Sequence, residues 1–222
     1  MKTDITNAKP ILFNTEMVKA ILDGRKTQTR RVVNLKNNDL IFTGFVMSST
    51  AKNREGCCAF GKSKECDLEF IKPKYKVGDV LWVREPVKVT KACNDTLKME
   101  FEYLSDGTKK IIDIPKKYLD EYDFIKNNCF LAKLNQLHYD KAYIGVPNGC
   151  LKEMARIFLK VTNVRVERLQ DIRVRDIEKE TGWKREKYSY SNKNRALYKD
   201  YRDLWNSTAK DGYKWKDNPY LS

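Results

Sequence analysis

Between Gly24 and Arg31 the chain reads GRKTQTRR, which sets Lys26, Thr27, Thr29 and three arginines within eight residues. These side-chain types can do chemistry together. A threonine hydroxyl is a weak nucleophile until a neighbour takes its proton. A lysine can take it once its pKa falls, which burial or nearby cations bring about. Arg25, Arg30 and Arg31 supply such cations, and an arginine can also hold a developing oxyanion. The competing reading is a solvated edge strand, in which the same residues merely face water and Thr29 is an ordinary strand residue.

The elements around the segment decide between the two. Thr15–Asp23, just before it, reads as a short helix, with Met17, Val18, Ile21 and Leu22 on one face, Asn14 or Thr15 as cap and Gly24 as stop. KTQTRRVV then turns extended, so that Thr27, Thr29 and Arg31 point one way and Gln28 and Arg30 the other. In an ideal strand Lys26 and Thr29 diverge, so a shared pocket requires Lys26 to sit in an irregular loop beside Gly24.

Further along, Val80–Val83 reads as a buried strand after a Gly78–Asp79 turn, with Trp82 in the core, and Pro86 ends it. Ala155–Leu169 reads as a strand pair broken at Asn163. The segment from Gln170 to Trp183 reads as a helix capped by Asp171, carrying Asp176 and Glu180 at four-residue steps and stopped by Gly182. A second amphipathic helix follows, with Leu197, Tyr198, Tyr201, Leu204 and Trp205 as its apolar face. Residues 34–72 and about 92–149 read as polar surface insertions. The pattern predicts one α+β domain over residues 1–222, a small barrel-like sheet flanked by helices.

The 222 residues carry 44 Lys and Arg against 30 Asp and Glu, a net charge of +14, while 41% are hydrophobic. The first balance favours polyanionic partners and the second argues against global disorder. No apolar run reaches membrane-helix length and no signal-peptide core opens the chain, so the expectation is a cytoplasmic protein with reduced thiols. Cys57, Cys58 and Cys66 cluster, but there is no C-x2-C pair, Cys93, Cys129 and Cys150 lie apart, and His138 is the single histidine. No metal and no cofactor is expected.

Gly24-x-Lys26-x-x-Thr29-x-Arg31 resembles the G-x-K-x-x-T-x-R signature of the ASCH domain family, whose fold is PUA-like. GDVLWVRE (Gly78–Glu85), ARIFLKVTNVRVERLQDI and the LWNS and YKWKDNPY blocks resemble, in order, later parts of the longer phage- and prophage-encoded members. The resemblance implies a PUA-like barrel and an RNA- or nucleoside-directed protein. It carries over a Lys/Thr/Glu set that deacylates an acylated cytidine, here Lys26, Thr29 and Glu180; other members are reported to cleave RNA. On this reading Thr29 is nucleophile, Lys26 base and Glu180 acid/base, or the group orienting the lysine. Arg31, Arg30 and Gly24 bind substrate, and Glu85 lines the pocket mouth. The bland reading of Glu180 pairs it with Lys179 or Lys184 on a helix surface.

A non-catalytic module that reads a modified or flipped base of RNA or DNA is the alternative, and a ribonuclease a third. Relatives of this length continue past NPY into a closing strand that ends early here. The expectation is therefore an open sheet edge, covered by an insertion or paired in a homodimer.

Overall fold

Asn14 supplies the first cap: its Oδ1 accepts the Met17 N–H at 2.8 Å and opens α1 (Thr15–Leu22), which buries Val18 and Ala20. Gly24 follows at φ 69°, in the left-handed region that glycine alone enters cheaply. These coordinates are a computed structural model that describes residues 5–37, 39–51, 53–63, 68–93, 98–113, 151–188 and 192–222.

Among the described residues the strands form four small sheets, which with the helices make a mixed α+β protein. The chain falls into two compact units. One is built from the described residues of Met1–Leu22 and Val80–Lys160. In it β5 (Val80–Arg84) runs parallel to β1 (Lys9–Leu12) and antiparallel to β9 (Phe158–Lys160). The apolar run Leu81–Val83 is buried, Trp82 included, as its composition predicts. A meander of β6 (Val87–Cys93), β7 (Lys98–Tyr103) and β8 (Lys109–Asp113) packs Met99, Phe101 and Tyr103 from alternate positions of β7 against Trp82, Val87 and Met154. The second expected insertion therefore starts inside a sheet, and residues 114–150 lie outside the described residues.

The other unit comprises Asp23–Asp79 and Val161–Ser222. Here β2 (Ile41–Phe45), β3 (Cys58–Gly61) and β4 (Glu69–Ile71) form an antiparallel sheet, in place of the polar excursion expected over 34–72. Cys58 and Phe60 are fully buried and pack with Val33, Leu40 and Tyr220, because CAF is apolar whatever the polarity of its flanks.

β10 (Glu167–Arg168) pairs with β11 (Tyr220–Leu221), and β9 pairs with β5, so Ala155–Leu169 supplies strands to two sheets. β11 is bonded on its other side as well. Arg31 and Ser222 exchange both backbone hydrogen bonds at 2.8 Å, and Val33 N–H donates to Tyr220 O at 2.9 Å. The expected open edge at the C-terminal residues is thus occupied: two residues suffice to fill a gap between β10 and the 31–33 segment.

α2 (Val174–Thr181) and α3 (Lys193–Thr208) complete this unit. Their apolar faces meet through Ile177, Leu197 and Tyr201, joined by Leu169, Ile172 and Leu221. Asp171 lies in a single 3-10 turn, and Arg173 occupies the N-cap of α2 instead. Gly182 ends the helix at φ 74° and returns its N–H to Glu178 O. Gly182→Ala should cost about 1–2 kcal/mol, the price of a left-handed Cβ, read as a lowered urea midpoint with an unchanged m-value. Among the described residues no helix is long and apolar enough to cross a membrane.

Candidate functional site

The segment after Gly24 is not a regular strand. Thr27 N–H and Gln28 N–H both donate to Lys179 O, at 2.8 and 3.1 Å, which pins two successive amides on the last turn of α2. That irregular docking turns Lys26 inward. It is 6% exposed, and its Nζ donates to Gln28 O at 2.7 Å and to the backbone carbonyl of Glu180. The carbonyl end of a helix favours a cation there. Burial nevertheless brings the Lys26 pKa down to about 8, with Arg31 and Arg30 adding to the fall and Glu180 opposing it. A solvated-face lysine would show neither feature.

Thr29 is half-buried, and its Oγ1 accepts from Arg31 Nη1 at 2.7 Å; the same nitrogen donates to Arg30 O at 2.8 Å. Burial lowers the Arg31 pKa, while Tyr75 and Glu180 act the other way. A hydroxyl that accepts from a guanidinium keeps its own proton to give, and the cation stabilises the alkoxide as it forms.

Glu180 sits one residue before the end of α2, 7% exposed, with its carboxylate turned to Arg30. Arg30 N–H donates to Oε1 at 3.1 Å, Arg30 Nη1 to Oε2 at 2.6 Å and Tyr201 OH to Oε2 at 3.1 Å. The bland pairing with Lys179 or Lys184 gives way to this buried clamp.

Arg30 is the largest departure. Expected to face away or to touch substrate, it is 6% exposed and spans two carboxylates, Nε reaching Glu167 Oε1 at 2.9 Å and Nη2 at 2.5 Å. Asp176 stands 3.9 Å from Nη2. Burial works against the guanidinium charge, but Glu180 and then Glu167 outweigh it and raise the Arg30 pKa. A guanidinium taken up in this way anchors the 26–31 segment to α2 and β10; it does not wait for a substrate. Gln28 is also turned inward, its Oε1 buried without a hydrogen bond, so strict alternation fails at both positions expected to face out.

Glu85 needs a similar correction. It is 0% exposed, accepts from Arg156 Nε at 2.8 Å, Arg156 Nη2 at 3.0 Å and Ser105 Oγ at 3.0 Å, and is a buried anchor where a pocket mouth was expected. Arg156 also reaches Asp106 at 2.8 Å and covers the Tyr103 ring at 3.8 Å. Gly24 contributes its backbone conformation alone.

Three contributors escaped the sequence reading. Tyr201 passed for core because it lies on the apolar face of α3, yet its hydroxyl ends on Glu180; burial, then the Glu180 charge, raises its pKa and keeps it a donor. Glu167 enters the sequence reading only inside the ARIFLKVTNVRVERLQDI block, and Asp176 only through the four-residue step that puts it on one helix face with Glu180.

Among the described residues no cluster of three or more His, Cys, Asp or Glu could hold a metal ion. Cys57 and Cys58 are buried free thiols, and burial pushes the Cys58 thiol up to about 11, away from the thiolate that a metal needs. Cys66, Cys129, Cys150 and His138 lie outside the described residues.

The described residues thus make a mixed α+β protein in which a buried Lys26 is held at the C-terminus of α2 and a half-buried Thr29–Arg31 pair follows it in the chain. The chain matches no family model, no curated protein and no solved structure.

Proposed function

We propose that the chain is an ASCH-type, PUA-like hydrolase acting on an acylated cytidine-type base, free or in RNA, through Lys26 and Thr29. The observation that carries this reading is Lys26: buried, with a pKa near 8, and oriented by two carbonyl oxygens. A neutral amine has two N–H bonds and one lone pair. The carbonyls of Gln28 and Glu180 accept from Lys26 Nζ and orient it, and with a pKa near 8 a fraction of the lysine carries the lone pair of a general base at neutral to mildly alkaline pH. Arg31 on Thr29 Oγ1 supplies the second half, activating the hydroxyl and holding negative charge near it.

In this mechanism Lys26 takes the Thr29 proton, Thr29 Oγ1 attacks the amide carbon, and the lysine returns the proton to the leaving amine. Water then cleaves the acyl-threonine ester. Glu180 contributes as a positioning residue: its main-chain carbonyl orients Lys26 and its carboxylate holds Arg30.

A specific observation favours the alternative of a binding module for RNA or DNA. The Glu180 carboxylate, the family's acid/base, is already engaged by Arg30 and Tyr201. Incubation with N(4)-acylated cytidines and with structured RNA, each read by mass spectrometry, separates the cases. Loss of the acyl mass supports the hydrolase, chain scission the ribonuclease, and intact substrate that co-elutes with the protein the binding module.

A further inference from the structure

On α3 the face opposite the core is cationic. Taking 100° per residue, Arg195, Lys199 and Arg202 stand within about 60° of one another, while Leu197 and Tyr201 point to the other side of the helix. At 1.5 Å rise per residue the three charges spread over about 10 Å, too far for a single phosphate group to meet all of them.

They are not scattered on a convex surface. Arg195, Lys199 and Arg202 line an open cleft of about 530 Å³ with Asn192, Tyr198 and Trp215. Among the described residues no carboxylate lines it. Among the described residues Arg195 and Lys199 have no ion-pair partner, and Arg202 meets its chain neighbour Asp203 at 3.3 Å, an exposed contact worth little. Asp200, the other acid of this stretch, accepts the Tyr188 hydroxyl at 2.9 Å.

The two aromatics are fixed. Tyr198 OH donates to Ile172 O at 2.7 Å, and Trp215 packs edge-on to Tyr201 with ring centroids 6.3 Å apart. Both are half-buried and line the cleft. A row of cations beside rigid aromatic rings is the combination that holds a single strand: phosphates meet the cations and an unpaired base has a face to stack. A duplex keeps its bases stacked on one another and cannot use the rings.

We propose that this α3 cleft binds single-stranded nucleic acid, its phosphates on Arg195, Lys199 and Arg202 and a base against Trp215 or Tyr198. The assignment does not rest on the hydrolase reading, since it concerns binding at residues outside the Lys26–Thr29 cluster.

The test is fluorescence anisotropy with a short labelled single-stranded RNA, followed across salt concentration. The variant Arg195→Ala/Lys199→Ala/Arg202→Ala keeps helix-favouring residues on an exposed face, and far-UV circular dichroism checks that it folds. The control Lys98→Ala/Lys109→Ala/Lys110→Ala removes the same charge from exposed positions on β7 and β8. The cleft variant should bind at least about tenfold more weakly at low salt, with the slope of log K against log salt reduced by about 2, three contacts at about 0.7 each. The control should lose much less, and the same sequence as a duplex should bind more weakly than the single strand. A loss in the cleft variant no greater than the control's, or tighter binding of the duplex, overturns the proposal. Absence of any hydrolysis leaves it standing, because turnover is not read.

Discussion

On the proposed hydrolase mechanism, Lys26→Arg and Lys26→Met should each lower deacylation by about 10²–10⁴-fold, the usual worth of a general base, while any binding of RNA largely survives. Arginine keeps the charge but cannot release its proton at accessible pH, and methionine keeps the length of the stem without the amine. Thr29→Ala should fall at least as far, and Thr29→Ser should recover part of the rate because it restores the hydroxyl. The wild-type rate should climb with pH up to about 8, the Lys26 value, and level off above it.

Stability supplies an independent sign. The folded pKa of Lys26 lies below the ordinary 10.5, so the unfolded chain binds the additional proton between about 8 and 10.5. The lysine therefore destabilises the fold below pH 8, and that penalty fades as pH rises to 10.5. Lys26→Met should be at least as stable as wild type at pH 7, and its advantage should shrink toward pH 10. Full activity in both Lys26→Met and Thr29→Ala would discard the catalytic reading and leave the binding module.

Arg30→Met should be the most destabilising single change in the segment, by about 3–5 kcal/mol in urea unfolding at pH 7. Arg30 and Glu180 are 5% and 9% exposed at their side chains, and removing the guanidinium leaves the Glu180 carboxylate buried without its ion-pair partner. The double variant Arg30→Met/Glu180→Met should lose less than Arg30→Met alone, since removing both partners also removes the stranded charge. Equal or additive losses would mean that Arg30 works through packing and not through the clamp.

Local signals were legible where one short stretch carries its own cause. The α1 cap at Asn14, the stop at Gly182 and the buried run Leu81–Val83 follow from capping geometry, left-handed φ and apolar composition. The irregular entry of Lys26 was legible too, as the condition that any convergence with Thr29 must meet. The sheet within 34–72 is hidden in the sequence because polar residues around Cys58–Phe60 outnumber the apolar ones, although those few are what β3 buries. Strand alternation does not predict where Arg30 points, because no ladder holds the segment between Lys26 and Arg30 in a strand.

By itself the sequence determined which chemical groups stand close along the chain: a lysine, a hydroxyl and three cations after a helix stop. It also determined the helices that end at Gly182 and run across Leu197 and Tyr201, since periodicity and capping act within a few residues. Only the tertiary structure decided what each charge meets. Glu167 and Glu180 lie 137 and 150 positions from Arg30, and nothing local specifies that they claim its guanidinium. Nor does anything local specify that the backbone of α2 receives Lys26, or that Tyr220 and Leu221 fill the space between β10 and the 31–33 segment. Those outcomes come from burial: once these groups leave water, each charge and each backbone amide must find a partner, and the partner is whichever group the packed fold brings within reach.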